Sequence, residues 1–282
     1  MKLQKCLFWA LFLLNLSGFA QSTASPNVNT FEIAAPQLDT LRKIWVYLPE
    51  GYQTSEKRYP VLYMHDAQNL FDAETSFAGE WQVDETLDSL KMPQVIVVGI
   101  EHGNEKRIEE LTPYPNEKYG GGKAGAYVDF LVNTLKPHID STYRSLPEAE
   151  NTGIMGSSLG GLTSFYAAVK HPEIFSRIGV FSPSFWYSDE IFELVKNSKL
   201  DKHQKFYFMA GTAEDEEMVT DLQKMLELLK EKEFPKENLK VKIVEGGKHN
   251  EASWSREFLQ AFQWLFPQES SQMIFKINDD QK

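Results

Sequence analysis

The sequence predicts an α/β protein with a mostly parallel central sheet and helices on both faces. Three observations point there. From Tyr59 onward, short apolar runs alternate with segments of helical periodicity, the pattern of consecutive strand–helix units. The runs Tyr59–Met64 and Gln94–Ile100 are almost continuously apolar, as strands covered on both faces must be. Gly156-Ser157-Ser158-Leu159-Gly160 then joins the strand-like Ile154-Met155 to a stretch with Leu162, Phe165, Tyr166 and Val169 at helical spacing. A serine on so sharp a strand-to-helix turn needs small neighbours, because a Cβ beside it would meet the returning backbone.

Taken in order, the first 20 residues read as a signal peptide. Lys2 and Lys5 precede the apolar Leu7–Leu16, and Gly18-Phe19-Ala20 offers small residues for cleavage before Gln21. The apolar run is short for a membrane anchor. Export to the periplasm or beyond is the expectation, with no stable membrane insertion after cleavage. Cys6, the single cysteine, lies within this segment, so the remaining chain has neither a disulfide nor a thiol nucleophile. Residues 21–282 read as one domain ending in a polar tail over 267–282. Phe31–Ile33 and Arg42–Leu48 suggest an early antiparallel pair. Val83–Leu90 suggests a short helix, Glu101–Lys123 a long loop and Ala126–Ile139 a helix with Tyr127, Phe130, Leu131 and Leu135 on one face. Further strands are expected at Ile178–Phe181, Phe206–Ala210 and Leu239–Val244. Ser182–Ser188 reads as an aromatic loop. Amphipathic helices carry Met218, Leu222, Met225 and Leu229, then Trp254, Phe258, Phe262 and Leu265.

The chain has 282 residues, of which 42% are hydrophobic, enough for one large core. Its formal charge of −11 argues against nucleic acid, whose phosphates need a basic face. Removing Lys2 and Lys5 with the leader takes −11 to −13.

Parallel sheets build their sites at the carboxyl ends of strands, and the reactive residues here follow such ends. A serine hydroxyl needs a base to take its proton. His249 follows the last strand through Glu245-Gly246-Gly247-Lys248 and is the candidate base for Ser158. The base needs a carboxylate, which should lie between serine and histidine in the chain. Glu214, nearest the end of strand Phe206–Ala210, is the first choice and Asp215 the second; acids at Asp215, Glu216 and Glu217 would also suit a helix first turn. Two backbone N–H groups should hold the oxyanion: Leu159, and Ala67 or Gln68 after the Tyr59–Met64 strand. His65 and Asp66 are expected to brace that loop. No metal and no cofactor is expected, since no ligand spacing calls for one. Trp81, Tyr114 and Trp186 lie in loops where a substrate ring could stack, and His102 could touch substrate. Arg107 could meet an anionic group or pair with Glu109 or Glu110.

Met64-His65-Asp66-Ala67-Gln68-Asn69-Leu70-Phe71-Asp72, Gly156–Gly161, Gly211-Thr212-Ala213-Glu214 and Gly247–Glu251 together resemble the Putative esterase family of α/β-hydrolases. That family includes feruloyl and acetylxylan esterases, enterochelin esterases and the antigen 85 mycolyltransferases. The resemblance covers about Phe31 to Phe266. It implies an α/β-hydrolase fold, Ser158 as nucleophile, His249 as base, Glu214 as acid and Gln68 as the first-loop oxyanion donor, with Ala67 standing where glycine is usual. It also implies a serine carboxylesterase, which the leader would make an exported one, acting on a small-molecule or oligosaccharide ester, of feruloyl or acetyl xylan type. The alternatives are a siderophore trilactone esterase or acyltransferase, and a binding protein built on the esterase fold.

Overall fold

A computed structural model describes residues 22–90 and 94–267. The expected signal peptide and the polar tail after Pro267 lie outside the described residues.

Strands β1 (Val28–Ala35) and β2 (Thr40–Tyr47) form the early antiparallel pair. β3 (Val61–His65) and β4 (Ile96–Ile100) follow, then a ribbon of two short strands, β5 (Pro115–Asn116) and β6 (Gly120–Gly121). β7 (Thr152–Ser157), β8 (Arg177–Phe181), β9 (Lys205–Gly211) and β10 (Leu239–Val244) complete the set. The main sheet has eight strands in the order β1-β2-β4-β3-β7-β8-β9-β10. β2 runs antiparallel to β4, and every pairing from β4 to β10 is parallel. This is the mostly parallel sheet expected of an α/β-hydrolase-like fold.

Alternate residues of the central strands feed two separate cores, as the two-residue period of a strand requires. Val61, Tyr63, Phe206 and Phe208 face one core, roofed by helices α3 (Ala124–Phe130), α5 (Leu159–Lys170), α6 (Glu190–Asn197) and α7 (Glu216–Glu231). Leu62, Met64, Tyr207 and Met209 face the other, closed by α1 (Val83–Asp88) and α8 (Glu251–Leu265). Both faces of the central sheet are therefore covered, and β3 and β4 are almost wholly apolar for that reason.

Two segments depart from the expected pattern. Glu101–Lys123 is not structureless: it holds the one-turn helix α2 (Arg107–Glu110) and the β5–β6 ribbon. The helix expected at Ala126–Ile139 begins at Ala124, passes through a π turn at Leu131–Leu135 and continues as α4 (Lys136–Thr142). Pro137 explains the interruption, because it has no N–H to give to the preceding turn and its ring crowds that turn.

The turn from β7 into α5 is closely packed. A Cβ on Gly156 would stand 2.8 Å from the Gly160 carbonyl carbon and 2.8 Å from His65 Cδ2. Neither neighbour can retreat, one being backbone and the other a fully buried ring. Gly156→Ala is therefore expected to cost about 1–3 kcal/mol of stability, read as a lowered denaturation midpoint, and to lower any activity that depends on Ser158 with it. A variant as stable and active as wild type would contradict this packing.

Candidate active site

Ser158 sits at the apex of the β7–α5 turn with φ 57° and ψ −123°, a conformation that non-glycine residues seldom adopt. Such backbone costs on the order of 1–3 kcal/mol and persists where its surroundings over-determine it. Three hydrogen bonds do so here. Ser158 N donates to Phe181 O at 2.9 Å, while its carbonyl accepts from Leu162 N at 3.0 Å and Ser184 N at 3.2 Å. The hydroxyl lies 3.4 Å from Ser184 Oγ, and no hydrogen bond joins it to His249 in this conformation. Ser158 and His249 nevertheless line the same cavity, of about 640 Å³.

His249 hangs on the loop after β10. Its Nδ1 pairs with Glu214 Oε2 at 2.7 Å. Glu214 is enclosed, and its second oxygen accepts from Gly211 N at 2.6 Å and Ser182 Oγ at 2.7 Å. Asp215 plays a different part and caps α7, accepting from Met218 N at 2.7 Å. The loops bearing Glu214 and His249 are laced together. Thr212 N donates to Val244 O at 3.0 Å, Ala213 N to Gly247 O at 2.9 Å and Gly246 N to Thr212 Oγ1 at 2.9 Å. Gly211 permits the approach, since a Cβ there would overlap the Gly247 carbonyl.

Two side chains that sequence reasoning missed complete this arrangement. Trp254 Nε1 donates to Ser182 Oγ at 2.8 Å, which directs the Ser182 hydroxyl onto Glu214. The Trp254 ring also stands edge-on to His249 at 5.0 Å. Ser182 immediately follows a strand end, the only local signal it carries; Trp254 reads in sequence simply as part of an apolar helix stripe.

The loop after β3 supplies the opposite wall. Positive φ falls on Asp66 (57°) and not on Ala67, so Ala67 is unstrained as it opens a one-turn 3-10 helix, Ala67–Asn69. Backbone N–H groups at the start of such a turn, and at Leu159 at the start of α5, have no acceptor within their own helix. His65 and Asp66 do brace this region, through partners from elsewhere. His65 Nδ1 meets Tyr127 Oη at 2.8 Å, and burial pushes the imidazole pKa down to about 4, so the ring is neutral at pH 7. Asp66 holds Arg107 in a two-point pair, at 2.7 Å to Nε and 2.8 Å to Nη2. Burial would raise the Asp66 pKa, but the guanidinium overrides it and keeps the carboxyl below its usual range. The pair's contribution to stability is then present at neutral pH and is lost as pH falls through that lowered pKa.

Of the expected substrate contacts, Trp81, Arg107 and His102 line the cavity. Trp81 is buried against Phe181 and Trp254 and forms a wall, and Arg107 pairs with Asp66 instead of Glu109 or Glu110. Tyr114 and Trp186 do not line the cavity. Tyr114 packs on Tyr166, and Trp186 packs on Tyr119 and Tyr187 beside the β5–β6 ribbon, held by hydrogen bonds from Tyr187 Oη to Gly120 O and from Asn116 Nδ2 to Tyr187 O. The Phe185–Tyr187 segment is a 3-10 turn whose Phe185 and Tyr187 are buried, and burial turns it away from the cavity. Phe77, unforeseen in the sequence reading, lines the cavity while remaining 95% exposed.

Known proteins share this architecture. The family model described as Putative esterase matches residues 35–265. The uncharacterized protein YbbA of Bacillus subtilis is 28% identical over 239 residues, covering 80% of this chain and 92% of that protein. An endo-1,4-beta-xylanase/feruloyl esterase of Xylanibacter ruminicola is 26% identical over 230 residues, covering 78% of this chain but 29% of that protein. The crystal structure of the enterobactin esterase of Shigella flexneri superposes with a TM-score of 0.66 at 17% identity, covering 87% of this chain and 62% of that one. At that identity the likeness is one of fold alone.

Proposed function

The chain belongs to the Putative esterase family and is an esterase, and we propose that it is an exported serine carboxylesterase that cleaves aromatic or acetyl acyl groups from carbohydrate through an acyl-enzyme. The observation that carries this reading is the 2.7 Å His249–Glu214 pair at the cavity that also contains the strained Ser158.

In the proposed reaction, Ser158 Oγ attacks the ester carbonyl and passes its proton to His249 Nε2. Glu214, accepting from Nδ1–H, fixes the tautomer and stabilises the imidazolium. The N–H groups of Leu159 and Gln68 receive the charge that develops on the carbonyl oxygen. Collapse of the adduct expels the alcohol with the proton from His249. Water then repeats the sequence to release the acid and regenerate Ser158.

The cavity has the size of a small-molecule cleft. Leu70, Phe77, Trp81 and Trp254 give it a flat apolar side suited to an aromatic acyl group, while Gln68, Asn69, His102 and Asn104 offer polar contacts to an alcohol rich in hydroxyls. The xylanase/feruloyl esterase relative supports the same substrate class. A siderophore trilactone is the second reading, favoured by Arg107 within the cavity, but the guanidinium there is already committed to Asp66. Initial rates on feruloylated and acetylated xylo-oligosaccharides against enterobactin distinguish the two. The proposal expects kcat/KM at least tenfold higher on a carbohydrate ester, and the reverse order would overturn it. Labelling of Ser158 by a fluorophosphonate reports the nucleophile independently of substrate. For the leader, cleavage after Ala20 on expression with its own first 20 residues, read by mass spectrometry of exported protein, tests export.

A further inference from the structure

At the start of α1, outside the lining of the Ser158 cavity, three acids converge. Glu80, Asp84 and Glu85 each present a carboxylate oxygen, and these oxygens all lie within 4.8 Å of one another. Asp84 is fully buried. Its Oδ2 accepts from Ser25 N at 2.7 Å, but Oδ1 has no partner. Glu85 Oε2 is likewise buried and unpartnered. Both oxygens of Glu80 face a single group, the Thr23 hydroxyl, at 3.2 and 3.3 Å. Among the described residues, no lysine or arginine pairs with Glu80, Asp84 or Glu85.

A buried carboxylate oxygen with no donor is costly, and three carboxylates held together are more so. Two remedies exist: the acids keep protons, or a cation joins them. A proton joins two of these oxygens at most, whereas a cation can engage all three carboxylates together, the unpartnered Asp84 Oδ1 and Glu85 Oε2 included.

We infer that Glu80, Asp84 and Glu85, with the Thr23 hydroxyl, form a binding site for a divalent cation of the calcium type. The donors are all oxygens, three of them carboxylates, and no imidazole or thiolate is among them. That set suits a hard cation and disfavours zinc or copper. The spacing of the oxygens fits on a sphere with calcium–oxygen radii of about 2.3–2.6 Å, with water filling the remaining positions. Magnesium demands a smaller, near-ideal octahedron, for which this mix of a fixed Asp84 and longer glutamates is less suited. The expectation of no metal rests on local ligand spacing. Thr23 reaches the acids from 57 positions away, which no local pattern displays.

The site would fasten two parts of the molecule. One is the N-terminal arm, tied by Ser22 and Thr23 to Asp72 and by Ser25 to Asp84. The other is the loop carrying Gln68 and Trp81, whose Asn69 and Leu70 carbonyls accept from Trp81 N at 2.8 Å and Val83 N at 3.0 Å. A cation at Glu80 and Asp84 thus stiffens the back of the active-site wall without touching substrate.

The test is calorimetric titration of chelator-treated full-length protein with calcium chloride, with thermal melting in calcium, magnesium or potassium chloride at matched ionic strength. The expected result is one saturable calcium site per chain and a rise in Tm of about 5 °C or more at saturating calcium, with a smaller rise in magnesium. Terbium bound in its place should show luminescence sensitised by the adjacent Trp81. Asp84→Asn should abolish all three signals while hydrolysis measured without calcium is retained. Glu80→Gln, at a more accessible position, makes the same test should the Asp84 variant fold poorly. No calcium heat and no Tm shift in wild type, or a full shift surviving both substitutions, would overturn the site.

Discussion

Ser158→Ala lowers kcat for ester hydrolysis by roughly 10⁴- to 10⁶-fold, the range seen when a serine nucleophile is removed from a triad. The reason lies in the proposed acyl-enzyme: without the hydroxyl no covalent intermediate forms. What persists is the modest help of the oxyanion donors and of binding. Stability should stay within about 0.5 kcal/mol of wild type, because the hydroxyl makes only the 3.4 Å contact to Ser184, and the backbone bonds that hold the turn remain. Rates on p-nitrophenyl acetate and on a feruloyl ester, measured beside a denaturation curve, check both halves. A variant within tenfold of wild-type turnover would end the mechanism.

Glu214→Gln should lower kcat by about 10⁴-fold, whereas Asp215→Asn should change it little. Glu214 accepts at both oxygens, from Gly211 N and Ser182 Oγ on one side and from His249 Nδ1 on the other. A glutamine can keep its carbonyl toward the first pair only by turning its NH₂ toward His249. Nδ1 must then accept, which leaves the proton on Nε2, where Ser158 needs a base. The imidazolium also loses its counter-charge. Asp215 instead caps α7, and asparagine caps a helix about as well as aspartate. Equal losses from both substitutions would mean that the acidic cluster acts only through the helix.

The sequence and the structure agree where the signal is short-range. The strained serine is written in Gly156, Gly160 and the apolar segments on either side, because the turn permits no other side chains there. That the sheet is mostly parallel and covered on both faces follows from apolar strands alternating with striped helices; the order of its strands does not. Chain order leaves four acids, Glu214 to Glu217, nearness to the strand end puts Glu214 first and Asp215 second, and the structure pairs Glu214 with His249 while Asp215 is taken by a helix cap. The less legible parts depend on where loops fold. Trp186 and Tyr114 sit in promising segments, yet the β5–β6 ribbon draws the first onto Tyr119 and Tyr187, and Tyr166 holds the second. Phe77 reaches the cavity through a loop pinned by Asn69, whose side chain accepts from Phe77 N. Ser182 and Trp254 meet across 72 positions, a distance at which no motif operates.

The lacing of the Thr212–Glu214 and Val244–His249 loops bears on timing. In the proposed triad, acid and base ride on one hydrogen-bonded unit. When the serine hydroxyl leaves Ser184 for the imidazole, it meets a ring already paired with its carboxylate. In the proposed reaction the tautomer of His249 is therefore set before an ester arrives.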